Sequence, residues 1–430
     1  MSRIPTARIC FRALIVAVAT LALIRDWRAE SSPPASDRDS SAESLGRHLS
    51  QLGVDRWHRQ GMEGAGVRIA VLDSGFRGYR HFLGRTLPEN VTVKSFRRDG
   101  DLEARDSSHG VFCGEVIHTV APKADLIFAS WEPDDAESFL EAARWCRRQG
   151  AKIVSCSVVI PAFSDGEGHG AVHRELSRVF GNGDQSGDIL PIASAGNLAT
   201  RHWSGRFCDN GRGMHAWRGE SADNKLTPWG NDRVFVELIG GPQARFEIEI
   251  IDRLTEKPIG QTRTYQGSDR YVQAVRFLPE SGRSYSLRVS RGVGRAESFH
   301  LIALGAWLEH FSSGGSIMFP GDGPEWLTVG AIEPDGRRMD YSSCGPNSSS
   351  PKPELVAAVP FPLAGRERPF AGTSASSPQA AGLAALIWSK HPDWNARQVR
   401  AALCRAAIDI NPPGHDFETG FGRLALPSAK

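Results

Sequence analysis

An aspartate, a histidine and a serine stand in that order along this chain, each in a short segment rich in small residues. They are Asp73 in VLDSGF, His109 in SSHGVFCGE and Ser374 in GTSASSPQAAG. A serine hydroxyl is a weak nucleophile at neutral pH. It becomes effective when a base lies within hydrogen-bond reach and a third group orients that base. Carboxylate, imidazole and hydroxyl are the three groups such a relay needs. A fourth segment, IASAGN, ends in Asn197, whose side-chain amide can donate a hydrogen bond to a developing oxyanion. Taken singly, Asp73 reads as a turn former, His109 as a capping residue and Ser374 as an N-cap. Their order and local settings carry the chemical reading. His118, His169, His173 and His202 have no comparable setting.

The surrounding pattern says how these groups are held. Val67 to Leu72 (VRIAVL) is an apolar strand pattern, broken only by Arg68, that ends at Asp73. Further buried strands are expected at Leu126–Ser130, Ile153–Ile160, Ile189–Ser194, Trp326–Ile332 and Glu354–Ala358. Helices are expected from Gly110 to Thr119, from Asp135 to Gln149, from Ser374 onward, and after the cap Asn395. Residues 43–60 fit a short amphipathic helix. Strands apolar on both faces, alternating with helices, make an α/β fold with a parallel sheet covered on both sides. Functional groups of such sheets collect at the carboxyl ends of the strands, where Asp73 sits.

Between about 203 and 310 the texture changes to short alternating strands. Phe246, Ile248 and Ile250 alternate with Glu247 and Glu249, and Tyr285, Leu287 and Val289 with Ser286, Arg288 and Ser290. This predicts an inserted antiparallel β-sandwich. The expected division is therefore 1–29 signal peptide or N-terminal anchor, 30–52 linker and short N-terminal strip, 53–202 first part of the α/β domain, 203–310 insert, and 311–430 second part. Trp203, Trp217 and Trp229 near the start of the insert suit either a domain junction or a binding surface for protein or polysaccharide.

Arg3, Arg8 and Arg12 precede an apolar run, Ala13 to Ile24, that is too short for an ordinary membrane span. It reads as an export signal. Ala29 is the nearest candidate cleavage site, and an uncleaved anchor is the alternative. Membrane attachment is expected only in that second case, and a secreted or extracytoplasmic location in either. The net charge of +2 gives no reason for a nucleic-acid partner. Of seven cysteines, Cys10 lies in the leader. Cys113, Cys146, Cys156 and Cys404 sit in apolar patterns and suit buried thiols. Cys208 and Cys344, in Gly- and Ser-rich loops, are the better disulfide candidates. No Cys/His spacing suggests a metal, and no cofactor is expected.

The four segments together make the chain resemble the subtilisin-like (subtilase) serine peptidases. The resemblance covers about Gly53 to Asn197 and Ser316 to Ala425, and HPDWNARQVRAAL and GFGRLAL add to it. It implies a mostly parallel seven-stranded sheet. It assigns Asp73, His109 and Ser374 to the catalytic triad and Asn197 to the oxyanion site. Ser157 and Val159 fall at the edge of a substrate pocket. Val159 stands where relatives carry glycine, which implies a narrowed pocket or a shifted peptide. FRGYRHF, after Asp73, lacks the acidic residue that many relatives use for calcium, so no calcium is expected there. The stretch before Gly53 is too short for the usual folded propeptide. Either the enzyme folds unaided or this strip caps the site. The implied function is an exported, monomeric serine endopeptidase acting on protein or peptide. The alternative is a catalytically silent binding protein on the same scaffold, with the insert binding protein or polysaccharide.

Overall fold

The computed structural model describes residues 38–103, 107–266, 270–292, 298–347, 350–410 and 412–427. The segment read as a signal or anchor, and the linker up to 37, lie outside these residues.

Seven strands form one sheet: β1 (Arg68–Leu72), β2 (Val91–Phe96), β3 (Asp125–Trp131), β4 (Ile153–Cys156), β5 (Leu190–Ser194), β16 (Leu327–Ile332) and β17 (Leu355–Ala358). Their order is β17-β16-β5-β4-β1-β3-β2 and every pairing is parallel. The strands alternate between two cores. Ile69 and Val71 face helices α3 (His109–Val120) and α6 (Ser376–Lys390), whereas Ala70 and Leu72 face α4 (Ala136–Arg148) and α5 (Ala171–Phe180). Burial on both faces explains why β4, β5, β16 and β17 read as largely apolar runs, whereas the edge strand β2 (VTVKSF) is mostly exposed. Asp135 caps α4 by accepting from the N–H groups of Glu137 and Ser138. Asn395 and Gln398 form a reciprocal capping box on α7 (Ala396–Ala406).

The N-terminal helix α1 runs from Arg38 to Leu52, so helix begins inside the stretch expected to be linker. Gly53, at φ 81°, ends it and separates it from α2 (Val54–His58), dividing what was expected to be one helix.

Between β5 and β16 lie ten antiparallel strands: β6 (His202–Arg206), β7 (Asn224–Pro228), β8 (Val234–Gly240), β9 (Phe246–Asp252), β10 (Lys257–Ile259), β11 (Gln261–Gln266), β12 (Tyr271–Phe277), β13 (Tyr285–Arg291), β14 (Ser298–Leu304) and β15 (Ala306–Leu308). They make two sheets, β10-β9-β13-β7-β15 and β11-β12-β8-β14-β6. Val236, Leu238, Ile248, Leu287 and Leu301 fill the space between them. Trp203 and Trp217 pack on this sandwich core, grouped with His215 and Phe299. Trp229 lies instead under the Arg201 guanidinium, 4.1 Å from ring centre to charge.

The second sheet also has an occupied outer face. Phe235, Ile239, Val272, Ile302 and Leu304 form one cluster with Val159, Leu198 and Met318 of the α/β part. Arg270, almost fully buried, donates across the junction to the Ala162 carbonyl at 3.1 Å. This explains why β8 is buried along its whole length, on both sides.

The cysteines are all free thiols among the described residues, including Cys208 and Cys344. Each of those two donates to a nearby carbonyl, Arg206 and Ser313 respectively. His173, expected to be unremarkable, is buried between Asp322 (2.9 Å) and Glu325 (2.8 Å). Burial opposes its charge, but the two carboxylates prevail and raise its pKa to about 10.

Glu237 in β8 is buried and its Oε2 has no partner. Desolvation raises its pKa from 4.5 to about 7. The folded state therefore binds the proton more tightly than the unfolded chain. The resulting cost is absent below pH 4.5, grows as pH rises toward 7, and then levels at roughly 3 kcal/mol. Glu237→Gln is expected to raise the melting temperature by several degrees at pH 8 and hardly at all at pH 4.5. Equal shifts at both pH values would contradict this.

Candidate active site

Three adjacent strands of the large sheet, β5, β4 and β1, end side by side. Leu72 pairs with Cys156 and Cys156 with Ala193, so the chain leaves the sheet at Asp73, Ser157 and the Ala195-Gly196-Asn197 turn at nearly one level. Neighbouring strands are about 4.8 Å apart, so this register alone gathers three of the expected residues on one edge.

Helix α6 brings the fourth. Its first turn is tied to the sheet through Ser377, whose Oγ lies 3.1 Å from Ser155 Oγ and donates to the Ile192 carbonyl at 3.3 Å. The expectation that Ser374 opens this helix needs correction. Thr373–Ala375 forms a single 3-10 turn, and α-helix starts at Ser376. Gly372, at φ 77°, makes the sharp entry, and a Cβ there would lie 3.0 Å from Asn197 Nδ2. The turn therefore needs glycine both for its backbone and for its neighbour.

Asp73 is fully buried. Its Oδ1 accepts from the Ser74 N–H at 2.8 Å, and its Oδ2 meets His109 Nδ1 at 2.8 Å. A buried carboxylate requires such partners. Here they also fix the imidazole: with Nδ1–H donated to Asp73, Nε2 is left as the basic nitrogen. Gly110 allows the approach. A Cβ on it would fall 2.4 Å from the Phe76 ring and 2.8 Å from Asp73 Cβ. The Gly110 N–H donates to the Gly75 carbonyl at 2.9 Å, which ties the start of α3 to the turn after Asp73.

Asn197 is oriented by Thr373. The Thr373 N–H and hydroxyl both donate to Asn197 Oδ1, at 3.0 and 2.9 Å. A backbone N–H can only donate, so the oxygen must face it. The Nδ2 donor is then left for a group in the cleft. The Thr373 hydroxyl accepts in turn from the Gly196 N–H at 3.1 Å.

Ser157 and Ser374 bond reciprocally. Ser157 Oγ donates to the Ser374 carbonyl at 3.1 Å, and Ser374 Oγ donates to the Ser157 carbonyl at a long 3.4 Å. His109, Asn197 and Ser374 keep some exposure while Asp73 has none. Val159 points away from solvent into the cluster shared with the insert, with Cγ2 3.0 Å from where a Gly196 Cβ would be. The strand expected to run from Ile153 to Ile160 leaves the ladder after Cys156. The Ile160 N–H pairs with the Phe319 carbonyl at 2.9 Å, and Pro161 then opens a 3-10 turn. The run of β-branched residues hid that exit.

Sequence reasoning missed Cys113. Its sulfur lies 3.8 Å from Asp73 Oδ2 and 3.9 Å from the Ser374 carbonyl, so one atom touches both halves of the site. Asp73, His109 and Cys113 could offer three ligand atoms to a metal, all within 4.8 Å of one another. Burial and then the Asp73 charge push the thiol pKa well up, which disfavours the thiolate a metal needs. The arrangement suits proton handling better. Its position in α3, one turn after His109, was the available signal.

Gly110→Ala is expected to destabilise the fold by about 1–3 kcal/mol, because Phe76 and Asp73 must both move. The Nδ1–Oδ2 bond is expected to lengthen with it. Thermal melts and a structure of the variant check both, and an unchanged melt would contradict the packing argument.

The sequence matches the subtilase family over residues 259–422. This stretch holds Ser374 but begins inside the sandwich, and Asp73, His109 and Asn197 lie outside it. Subtilisin amylosacchariticus of Bacillus subtilis subsp. amylosacchariticus is 32% identical over 150 residues, 34% of this chain and 38% of that protein. Subtilisin of Bacillus pumilus is 31% identical over 150 residues, 34% of this chain and 53% of the relative. The chain thus spans well under two thirds of the length of these relatives. Among solved structures, the Clostridium perfringens CspB protease superposes with a TM-score of 0.64 at 14% identity, covering 88% of this chain and 96% of that one. A lanthipeptide protease superposes at 0.51 with 16% identity, covering 91% and 97%. At those identities the structures speak to the fold, and the matched sequence speaks to the family. Residues 259–422 thus match the subtilase family, and the described chain shares the fold of these two proteases.

Proposed function

We propose that this chain is a serine endopeptidase that acts outside the cytoplasm on proteins or peptides. Its organisation would be an α/β peptidase domain, 53–202 and 311–430, interrupted by the sandwich at 203–310. The observation that carries the reading is the 2.8 Å bond between a fully buried Asp73 carboxylate and His109 Nδ1, on the sheet edge that also presents Ser374 and Asn197.

In the proposed reaction Ser374 turns about its χ1 angle, exchanging the long bond to Ser157 for His109 Nε2. Its oxygen attacks the peptide carbonyl while the imidazole takes the proton. Asp73 stabilises the imidazolium. The carbonyl oxygen, now negative, receives Asn197 Nδ2–H and the Ser374 N–H. His109 then passes the proton to the leaving amine, leaving an acyl-enzyme. Water, deprotonated by the same imidazole, releases the acid.

Export rests on the apolar run Ala13 to Ile24 behind its arginines. Among the described residues no helix is long and apolar enough to cross a membrane.

A fluorophosphonate is expected to label Ser374, with no labelling and no casein cleavage in Ser374→Ala. Asn197→Leu is expected to lower kcat about 100- to 1000-fold with little change in KM. A folded wild-type chain that neither labels nor cleaves would defeat the reading. Binding of protein or polysaccharide by such a silent chain would favour the scaffold alternative.

A further inference from the structure

Helix α1 lies outside the chain segments that carry the relay, yet one of its side chains reaches toward two of the relay's members. His48 Nε2 is 2.8 Å from Gln379 Oε1. Gln379 is fully buried in the first turn of α6, and its Nε2 donates to the carbonyls of Ala375 (2.9 Å) and Ala358 (3.2 Å). Both amide hydrogens are thereby used, so Oε1 must accept and His48 must carry its proton on Nε2. Ala375 directly follows Ser374 and closes its 3-10 turn.

The second route is aromatic. The His48 ring meets Phe361 edge-on, with centroids 4.8 Å apart. Phe361 exchanges both backbone hydrogen bonds with Phe370, at 2.7 and 2.8 Å. The Phe370 ring in turn meets the His109 ring edge-on at 5.5 Å. Leu45 and Leu49 seat α1 on the core, and the Leu52 carbonyl accepts from the Leu426 N–H at 2.8 Å, so the helix is held at its far end too.

We propose that His48 is a positioning residue for the relay: through Gln379 it fixes the turn bearing Ser374, and through the Phe361–Phe370 pair it backs the ring of His109. The proposal rests on the peptidase reading and deepens it, because it makes the N-terminal helix part of the working site. Loss of His48 leaves Gln379 Oε1 buried without its donor and frees the Ala375 carbonyl to shift. Small misplacements of a nucleophile cost rate far more than they cost substrate binding.

The test compares wild type with His48→Ala, His48→Gln and, as a control in the sandwich core away from α1, Leu287→Ala. It measures kcat and KM on a peptide substrate, the rate of fluorophosphonate labelling, the melting temperature, and the downfield proton resonance of the Asp73–His109 bond. His48→Ala is expected to lower kcat and the labelling rate about tenfold, leave KM within about twofold, and shift or broaden the resonance. His48→Gln, whose amide can still donate to Gln379, is expected to recover most of the rate. Leu287→Ala is expected to lower the melting temperature while the folded enzyme keeps its kcat. A His48→Ala enzyme that melts earlier but keeps wild-type kcat, labelling and resonance would overturn the proposal, as would an equal loss of kcat in Leu287→Ala. A wild type without activity whose resonance still moves in His48→Ala would overturn the peptidase reading and leave the positioning role standing.

Discussion

Everything at the site depends on one buried charge. Asp73 has no contact with solvent, so its carboxylate must be satisfied within the protein. The Ser74 N–H takes one oxygen and the His109 imidazole the other. That need draws the first turn of α3 onto the end of β1, and only glycine at position 110 leaves room for it. The same sheet edge then offers Ser157 and the Gly196-Asn197 turn by register alone. The polar groups of the site are positioned by constraints that act on backbone and core before any substrate arrives.

The sandwich is joined to this edge closely. The chain passes from Asn197 through Leu198 to Arg201 and into β6, and Leu198 shares an apolar cluster with Val159 and with three strands of the insert. The loop that carries Asn197 and the segment Ser157–Val159 therefore rest on one face of the sandwich. This gives Val159 a structural explanation: its side chain is packed inward as part of the junction. The residue that looks like a departure from the family pattern is the residue that the insert covers.

The parallel sheet, its helices and the capping of α4 and α7 were legible because burial on both faces and cap chemistry leave direct marks on sequence. The small residues around Asp73, His109 and Ser374 answer to tight approaches that the structure contains, so the meeting of Asp73 with His109 and of the Ser374 turn with Asn197 left a mark on the sequence. Other features were hidden for physical reasons. The exit of β4 after Cys156 takes the Ile160 N–H to the distant Phe319 carbonyl. The His48–Gln379 bond joins residues more than three hundred positions apart, and His173 acquires its carboxylate neighbours only on folding. The cysteine count permitted disulfides, but Cys208 and Cys344 are free thiols, one exposed and the other buried.

In the proposed function Asp73, His109, Ser374 and Asn197 act on one reacting carbonyl. A crystal structure of the fluorophosphonate adduct tests it most directly. The expected adduct has phosphorus on Ser374 Oγ, a phosphonyl oxygen within about 3 Å of both Asn197 Nδ2 and the Ser374 N–H, and His109 still bound to Asp73. An adduct on another residue, or a phosphonyl oxygen turned away from Asn197 with the Asp73–His109 bond broken, would contradict it.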